Sequence, residues 1–189
     1  QTEIDVLEET FVSLVLAREQ ERLAPAFTRL DLVTLGTLAD LMPLEDENRI
    51  FVRRGLAMLR ASERNGLRQV FRRKDLLGKR ISTTDIAFQV SPLLNSAGRM
   101  GEPATATRLF LAQSPEEAAP IVEQLFLLDG KRKSLGESTW NIVLDQAKDS
   151  LEHTGGRCIL VHDERIQRGI TGIIASRLQG FFKAPAIVM

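Results

Sequence analysis

Residues 157–189 read RCILVHDERIQRGITGIIASRLQGFFKAPAIVM, and this stretch decides the fold class. Two short apolar runs, residues 158–161 and 185–189, have the length and the branched side chains of buried strands. Between them, residues 169–182 carry apolar positions at helical spacing. A strand, a helix and a second strand in this order predict a β-α-β unit, and therefore an α/β fold.

A long helix is expected before this unit. Ser114 is a favourable N-cap, Pro115 suits the first helical position, and two acids follow in the first turn. Apolar residues then keep helical spacing over residues 121–147, until a Thr-Gly-Gly triplet ends the pattern. We predict one long helix, with Gly130 or Gly136 as the place where a bend could occur.

The preceding part of the chain predicts several shorter elements. Apolar steps of three and four residues indicate an amphipathic helix over about residues 4–23 whose inner face includes Leu7, Phe11 and Leu14. Residues 30–35 are compatible with a buried strand or a short helix that leads into a turn at Asp40. Further helices are expected over about residues 50–59 and 103–112.

The composition is that of an ordinary globular protein. The 189 residues are 43% apolar and 26% charged with zero net charge, which excludes collagens and disordered chains. No run approaches the length of a membrane span, and the single cysteine, Cys158, cannot form an internal disulfide, so we expect a cytoplasmic location. Because the chain starts at Gln1 and stops within an apolar run, we expect a piece of a longer polypeptide.

Charge is unevenly distributed along the chain. Residues 53–80 contain ten Lys or Arg and two acids, and Arg60, Arg64, Arg68 and Arg72 recur every four residues. On one helix they would share a side, although Gly66 would interrupt it. Two interpretations stay open at this point: a solvated helix face, or a surface that contacts a polyanion.

Two aspartates lie in apolar surroundings and therefore need a partner. Asp31 and Asp40 would each have to be paired, hydrogen-bonded or bound to a metal. Asp40 is the better metal candidate, because it follows Gly36-Thr37 at the expected mouth of a strand. A capping or turn role is the alternative. The two histidines, nine residues apart, indicate no zinc site.

Four segments in this order resemble one known family. They are LDLVTLGTLADLMPLEDENR (30–49), SPLLNSAGRM (91–100), LDGKRK (128–133) and GITGIIASRL (169–178). Together they are similar to the RecJ-type single-stranded-DNA-specific exonucleases of the DHH phosphoesterase superfamily. The resemblance extends from about Arg29 to Met189.

The resemblance implies hydrolysis of single-stranded DNA from its 5′ end, in DNA repair and recombination, with Mn²⁺ or Mg²⁺ as cofactor. Of the family's four metal-binding motifs only the last, GTLAD, is present, which makes Asp40 the implied catalytic metal ligand. One aspartate cannot hold two catalytic ions. The resemblance also implies single-stranded DNA as partner and allows a helicase and a single-strand-binding protein. No membrane partner is implied.

The resemblance further implies that the chain contains parts of two domains joined by a helix. Residues 1–113 would be the end of a DHH domain, residues 114–154 a connecting helix, and residues 155–189 the start of a DHH-associated, substrate-binding domain.

The implied DNA contacts lie in three of the four segments. Small residues around Asn95 and Arg99 would let backbone approach a ligand, and an arginine fork suits phosphate oxygens. The alternative for Arg99 is an ion pair with an acid across the domain junction. The alternative for Gly172 is that it and Ala175 serve helix packing, which is compatible with a phosphate contact by Arg177. The implied DNA-binding residues are Asn95, Arg99, Gly169, Gly172, Ser176 and Arg177, followed by Arg132, Lys133 and Gln167.

Two positions depart from the family pattern. Gln167-Arg168 stands where His-Pro is usual, so a titratable nitrogen is lost, and Asp129 stands where asparagine is usual. The alternatives to an exonuclease are a DHH phosphodiesterase acting on short oligonucleotides or cyclic dinucleotides, although its glycine-rich GGGH-like element is absent from this sequence, and a nucleic-acid-binding module without catalysis.

Overall fold

The computed structural model describes residues 5–14 and 27–189, which form two units that meet in sequence at Pro92 and Leu93. The first unit contains α1 (helical over residues 5–14), α2 (Leu30–Ala39), α3 (Asp46–Arg60), α4 (Asn65–Arg73), α5 (Thr83–Asp85) and a π-helical segment (Ile86–Val90). Helix α6 (Ser91–Arg99) follows directly. The second unit continues with α7 (Pro103–Leu111), α8 (Pro115–His153), β1 (Ile159–Val161), a 3₁₀ turn (Arg168–Ile170), α9 (Thr171–Phe182) and β2 (Ala186–Val188).

The close packing of α2 and α3 organises the first unit. Gly55 is buried on α3, and a Cβ at this position would overlap Thr34 Oγ1 and the carbonyl oxygen of Leu30. Thr34 Oγ1 donates a hydrogen bond of 3.0 Å to the carbonyl oxygen of Phe51. Residues 30–35 lie within α2. Of the two predicted alternatives for them, the short helix is correct and the strand is wrong.

Helix α1 presents a different face from the predicted one. Leu7 and Leu14 are 68% and 66% exposed, whereas Val12 and Glu8 are buried. The Glu8 carboxylate accepts a hydrogen bond from Arg54 Nε at 2.7 Å and lies 3.3 Å from Arg53 Nη1. Because these ion pairs bind Glu8 to α3, the side of α1 that carries Glu8 is buried. The remainder of the predicted helix, residues 4 and 15–23, lies outside the described residues.

The four regularly spaced arginines do not lie on one helix. Arg60 is the last residue of α3, and Arg64 is the N-cap of α4. Arg60 donates to the carbonyl oxygen of Ile81 at 2.9 and 3.2 Å, and Arg64 Nε donates to the buried Asp31 carboxylate at 2.5 Å. Arg60 and Arg64 therefore make structural hydrogen bonds, and the four-residue spacing does not define one basic helix face.

A widened helix precedes α6. Ser82 and Asp85 form a reciprocal capping box at the start of α5. The π-helical segment follows, and the amide of Ser91 bonds to the carbonyl of Ile86. Pro92 explains the widening, because in an α-helix its ring would clash with the carbonyl four residues earlier.

Helix α8 and the β-α-β unit build the second unit. Helix α8 has 39 residues, roughly 60 Å in length, and continues through Gly130 and Gly136. Ser114 caps its start, and Gly155 and Gly156 adopt positive φ after its end. Strands β1 and β2 are parallel, with Ile159 beside Ala186. Val143, Ala147, Ile174 and Leu178 pack with β1 in one core, so the predicted β-α-β unit is confirmed.

Overall, the fold is mostly helical with one small parallel sheet. The predicted helices over residues 50–59 and 103–112 correspond to α3, which starts earlier, and α7. The domain boundaries at 113/114 and 154/155 stay a prediction. Among the described residues, no helix is both long enough and apolar enough to cross a membrane.

Candidate functional site

The NSAGR segment forms the carboxyl-terminal half of α6. Ser96 and Ala97 are buried, and Ser96 Oγ donates to the carbonyl oxygen of Leu93 at 2.6 Å. Asn95 and Arg99 lie four residues apart and are both exposed. The small residues thus lie on the buried side of α6, while the amide of Asn95 and the guanidinium of Arg99 are exposed.

Arg99 meets the segment that precedes α9. Its Nη1 donates a hydrogen bond of 3.2 Å to the carbonyl oxygen of Gly169, 70 positions away in sequence. A Cβ at position 169 would overlap the carbonyl oxygen of Arg99. Glycine is therefore required here for close backbone approach, and two of the predicted DNA-binding residues lie in direct contact. Within residues 5–14 and 27–189, Arg99 forms no ion pair with an acid, which was the predicted alternative.

The first turn of α9 has no side-chain cap. Ile170 occupies the N-cap position and provides no capping hydrogen bond, so the amides of the first turn are without a side-chain acceptor there. Gly172 and Ser176 are exposed on this helix. A Cβ at Gly172 would meet nothing within 4 Å, which contradicts the packing alternative for Gly172. An uncapped helix start of this kind suits an anion.

Arg177 already has partners within the second unit. Its Nη1 and Nη2 lie 2.9 and 3.4 Å from the Glu137 carboxylate oxygens, and its guanidinium carbon lies 4.2 Å from the centre of the Trp140 ring. Phe181 makes an edge-to-face contact with Trp140. A DNA phosphate would have to share Arg177 with Glu137, so the predicted role of Arg177 requires rearrangement.

Arg132 and Lys133 both bind the carboxylate of Asp129. Arg132 Nη2 and Lys133 Nζ each lie 2.8 Å from an Asp129 oxygen. Burial opposes ionisation of Asp129, but the hydrogen bonds from Lys133 and Arg132 outweigh burial and hold the pKa of this carboxyl below its ordinary value. The two cations predicted to contact DNA therefore stabilise a buried charge within α8.

Sequence reasoning missed Lys131, which directly precedes Arg132 in α8. Lys131 lines a cleft of about 470 Å³ that we call the α8 cleft, together with Met100, Glu102, Leu128, Ser134, Leu135, Ser138 and Gln167. Gln167, the residue that departs from the family pattern, is exposed on this cleft. The sequence offered no signal, because three adjacent cations cannot be distinguished without knowing which one has an internal partner.

The two aspartates of the first unit have different surroundings. Asp31 is buried and bound to Arg64 through both carboxylate oxygens. Asp40 is exposed and ends α2, not a strand as its metal prediction assumed. Within residues 5–14 and 27–189, no three His, Cys, Asp or Glu side chains are grouped so that they could hold a metal ion. The described residues alone do not fit a two-metal centre.

Comparison with known proteins gives a consistent result. No protein-family model matches the chain. The single-stranded-DNA-specific exonuclease RecJ of Thermus thermophilus is 34% identical over 168 residues, which are 89% of this chain and 24% of that protein. The RecJ proteins of Bacillus subtilis and Escherichia coli are 33% and 32% identical over 165 residues each.

Solved structures agree with these relatives. The crystal structure of Thermus thermophilus RecJ in complex with Mg²⁺ matches with a TM-score of 0.79 at 32% identity, over 89% of this chain and 26% of that chain. A structure of exonuclease RecJ bound to manganese matches with a TM-score of 0.74 at 32% identity, over 87% of this chain and 41% of that one. The chain spans about a quarter of the length of the curated relatives it matches. In sequence and in fold, the chain is therefore similar to part of the RecJ exonucleases over almost all of its own length.

Proposed function

We propose that the chain is part of a metal-dependent exonuclease that hydrolyses single-stranded DNA from its 5′ end, and that its own contribution is to hold the DNA backbone. The relatives' shared name as single-stranded-DNA-specific exonucleases supports the reaction and the substrate. A cytoplasmic role in DNA repair and recombination, with helicases and single-strand-binding proteins as partners, belongs to the same proposal.

One observation carries the proposed DNA contact. Arg99 and Gly169 come from distant segments, yet the guanidinium of Arg99 bonds to the carbonyl of Gly169. This bond uses one of the five N–H donors of the side chain. The remaining donors of the exposed guanidinium are oriented by that anchor and can bind two oxygens of one phosphate. Asn95 and the uncapped start of α9 offer further donors.

The described residues do not provide enough ligands for the metal ions that the proposed hydrolysis requires. Structures of RecJ with Mg²⁺ and with Mn²⁺ make these ions the expected cofactors. Bound ions would supply an activated water and stabilise the leaving oxygen. Asp40 is the single implied ligand of this chain. We therefore expect residues 1–189 alone to bind single strands but to release no nucleotides in the presence of Mn²⁺.

Fluorescence anisotropy with labelled single strands of two unrelated sequences tests the DNA contact. Arg99→Ala should weaken binding to both strands alike, because phosphates carry no base information. The slope of log affinity against log salt should fall by roughly 0.7 for each lost phosphate contact. Arg99→Lys should keep the slope of log affinity against log salt but still lower the affinity, because an ammonium group cannot make the bidentate contact with a phosphate.

Arg72→Ala is the matched control. Arg72 is exposed, and its one side-chain partner among the described residues is Gln69, one turn away in α4, at 2.9 Å. This variant should keep the wild-type slope. A purely structural arginine at position 99 would instead give a lower melting temperature together with an unchanged slope in the folded protein, and that result would refute the proposal.

A further inference from the structure

The three adjacent cations of the LDGKRK segment have unequal surroundings. Arg132 and Lys133 are fixed on the buried Asp129 carboxylate. Lys131 is exposed and has no ion pair or side-chain hydrogen bond within the described residues. Its ammonium group is therefore the one of the three that is available to an external anion.

The α8 cleft surrounds Lys131 with neutral hydrogen-bond donors. Ser134 and Ser138 follow Lys131 at intervals of three and four residues, so the three side chains share one face of α8. The Ser138 hydroxyl already donates to the carbonyl oxygen of Leu135 at 3.0 Å, so Ser134 is the hydroxyl donor of this face. Gln167 contributes an amide to the same cleft. Leu128 and Leu135 provide apolar surface between the polar groups. This combination of one cation, hydroxyl and amide donors and apolar surface suits a phosphate with an attached sugar or base.

The α8 cleft adjoins the Arg99 and Gly169 contact. Met100, which lines the cleft, follows Arg99 directly, and Gln167 precedes Gly169 by two residues. A strand whose phosphate is bound at Arg99 can therefore continue into the cleft. The cleft volume of about 470 Å³ is in the range of pockets that bind small molecules, which suffices for one nucleotide.

We infer that the α8 cleft is a subsite for one nucleotide of the single strand, with Lys131 as its phosphate-binding residue and Ser134 and Gln167 as neutral donors. This inference rests on the proposed function. It assigns the phosphate contact to Lys131 instead of Arg132 or Lys133.

Glu102 places a negative charge in the α8 cleft. Its carboxylate also lines the cleft and accepts a hydrogen bond from Gln124 Nε2. A negative charge near a bound phosphate lowers affinity. Replacing Glu102 by the neutral glutamine should therefore strengthen binding, whereas replacing Lys131 by glutamine should weaken it.

The test measures single-strand binding by residues 1–189 across a salt series. Lys131→Gln should reduce the slope of log affinity against log salt by roughly 0.7. The control is Lys148→Gln, which removes the same charge from the same helix at an exposed lysine paired with Asp145. The control should keep the wild-type slope, and Glu102→Gln should raise affinity. Thermal unfolding of each variant checks that the fold is kept.

The outcomes separate this inference from the proposed function. Wild-type protein that binds single strands through Arg99, with Lys131→Gln and Lys148→Gln behaving alike, would overturn the subsite and leave the proposed function intact. Wild-type protein that does not bind single strands would overturn both. A loss of slope with Lys131→Gln and not with Lys148→Gln supports the subsite.

Discussion

The basic residues of the two units differ in how they are distributed along the sequence and in the partners that they bind. The first unit has the dense basic stretch, residues 53–80, yet most of its cations are bound to acceptors in the same unit. The second unit has fewer cations, and Arg99 and Lys131 face solvent. Bonded side chains in the basic stretch are Arg53, Arg54, Arg60, Arg64, Arg68, Arg72 and Lys79.

This difference shows that charge density along a sequence does not locate a polyanion-binding surface. A cation paired with a carboxylate loses much of its capacity to attract a phosphate, whereas an exposed arginine such as Arg99, with one N–H bonded to a carbonyl oxygen, keeps its charge and its other donors. An isolated cation beside neutral donors keeps that capacity. The same holds within the second unit, where Lys131 has no ion pair among the described residues, whereas Arg132, Lys133, Lys148, Arg165 and Arg177 are each paired with a carboxylate.

The largest expected effect concerns Asp40, which the resemblance makes a metal ligand. In a complete RecJ-type protein that carries this segment, Asp40→Asn should lower the turnover of single-stranded DNA by at least about 100-fold, because a neutral amide is a poor ligand for a hard cation. Affinity for DNA should change only a few-fold, since the proposed DNA contacts lie in the second unit. Unchanged turnover together with an unchanged metal titration would reduce Asp40 to a turn residue.

The contact between Arg99 and Gly169 can be broken with one methyl group. Gly169→Ala should lower the free energy of unfolding by about 3 kcal/mol, because the new Cβ overlaps a backbone carbonyl that cannot rotate away. Gly172→Ala is the control in the same segment, where the added Cβ meets no atom within 4 Å. We expect that variant to be neutral or slightly stabilised, since alanine favours helix more than glycine does. Chemical denaturation measures both, and equal stabilities would contradict the close approach.

Arg64→Ala tests whether the basic stretch is structural. The Asp31 side chain is 7% exposed, and removal of Arg64 leaves it without its ion pair. We expect a loss of about 2 kcal/mol in the free energy of unfolding, moderated by the partial exposure of Arg64. Arg72→Ala should cost under about 0.5 kcal/mol. If Arg64→Ala left stability unchanged and instead lowered the salt slope of DNA binding, the contrast between the two units would be wrong.

The smallest effect concerns Asp129 and depends on pH. Asp129→Asn should cost about 1 kcal/mol near neutral pH, because it weakens two charge-assisted hydrogen bonds. The pKa of Asp129 is lowered in the folded state. Its contribution is therefore present above the ordinary carboxyl pKa of about 4 and is lost as the pH falls through the lowered value.

Melting temperatures of wild type and Asp129→Asn should consequently converge as the pH is lowered below about 4. Asp145→Asn is the control, because Asp145 is exposed on the same helix and, in the part of the chain that the structure describes, pairs with Lys148 alone. A difference between wild type and Asp129→Asn that stayed constant with pH would contradict the ionised, paired state of Asp129.

Local chemistry made much of the second unit predictable. The cap at Ser114, Pro115 in the first turn and the glycines at 155 and 156 fix both ends of α8 through interactions within a few residues. The strand, helix and strand of residues 157–189 likewise follow from hydrophobic periodicity. These features need no knowledge of distant neighbours.

Other features could not be read from periodicity. The exposed side of α1 carries more apolar residues than its buried side, because Glu8 pairs with arginines of α3. The residues that line the α8 cleft are separated by up to 67 positions, between Met100 and Gln167. The contact of Arg99 with Gly169 lies between positions 70 apart.

The β-α-β unit, the long helix, the turn at Asp40 and the resemblance to RecJ exonucleases were predictable from the amino-acid sequence, because each depends on residue types at short spacing or in a fixed order. Which cations have internal partners became known only from the folded structure. Arg132 and Lys133 cannot be distinguished from Lys131 until the burial of Asp129 is known. The reason is that the availability of a charge depends on partners brought close by folding, and the identity of the residue does not contain that information.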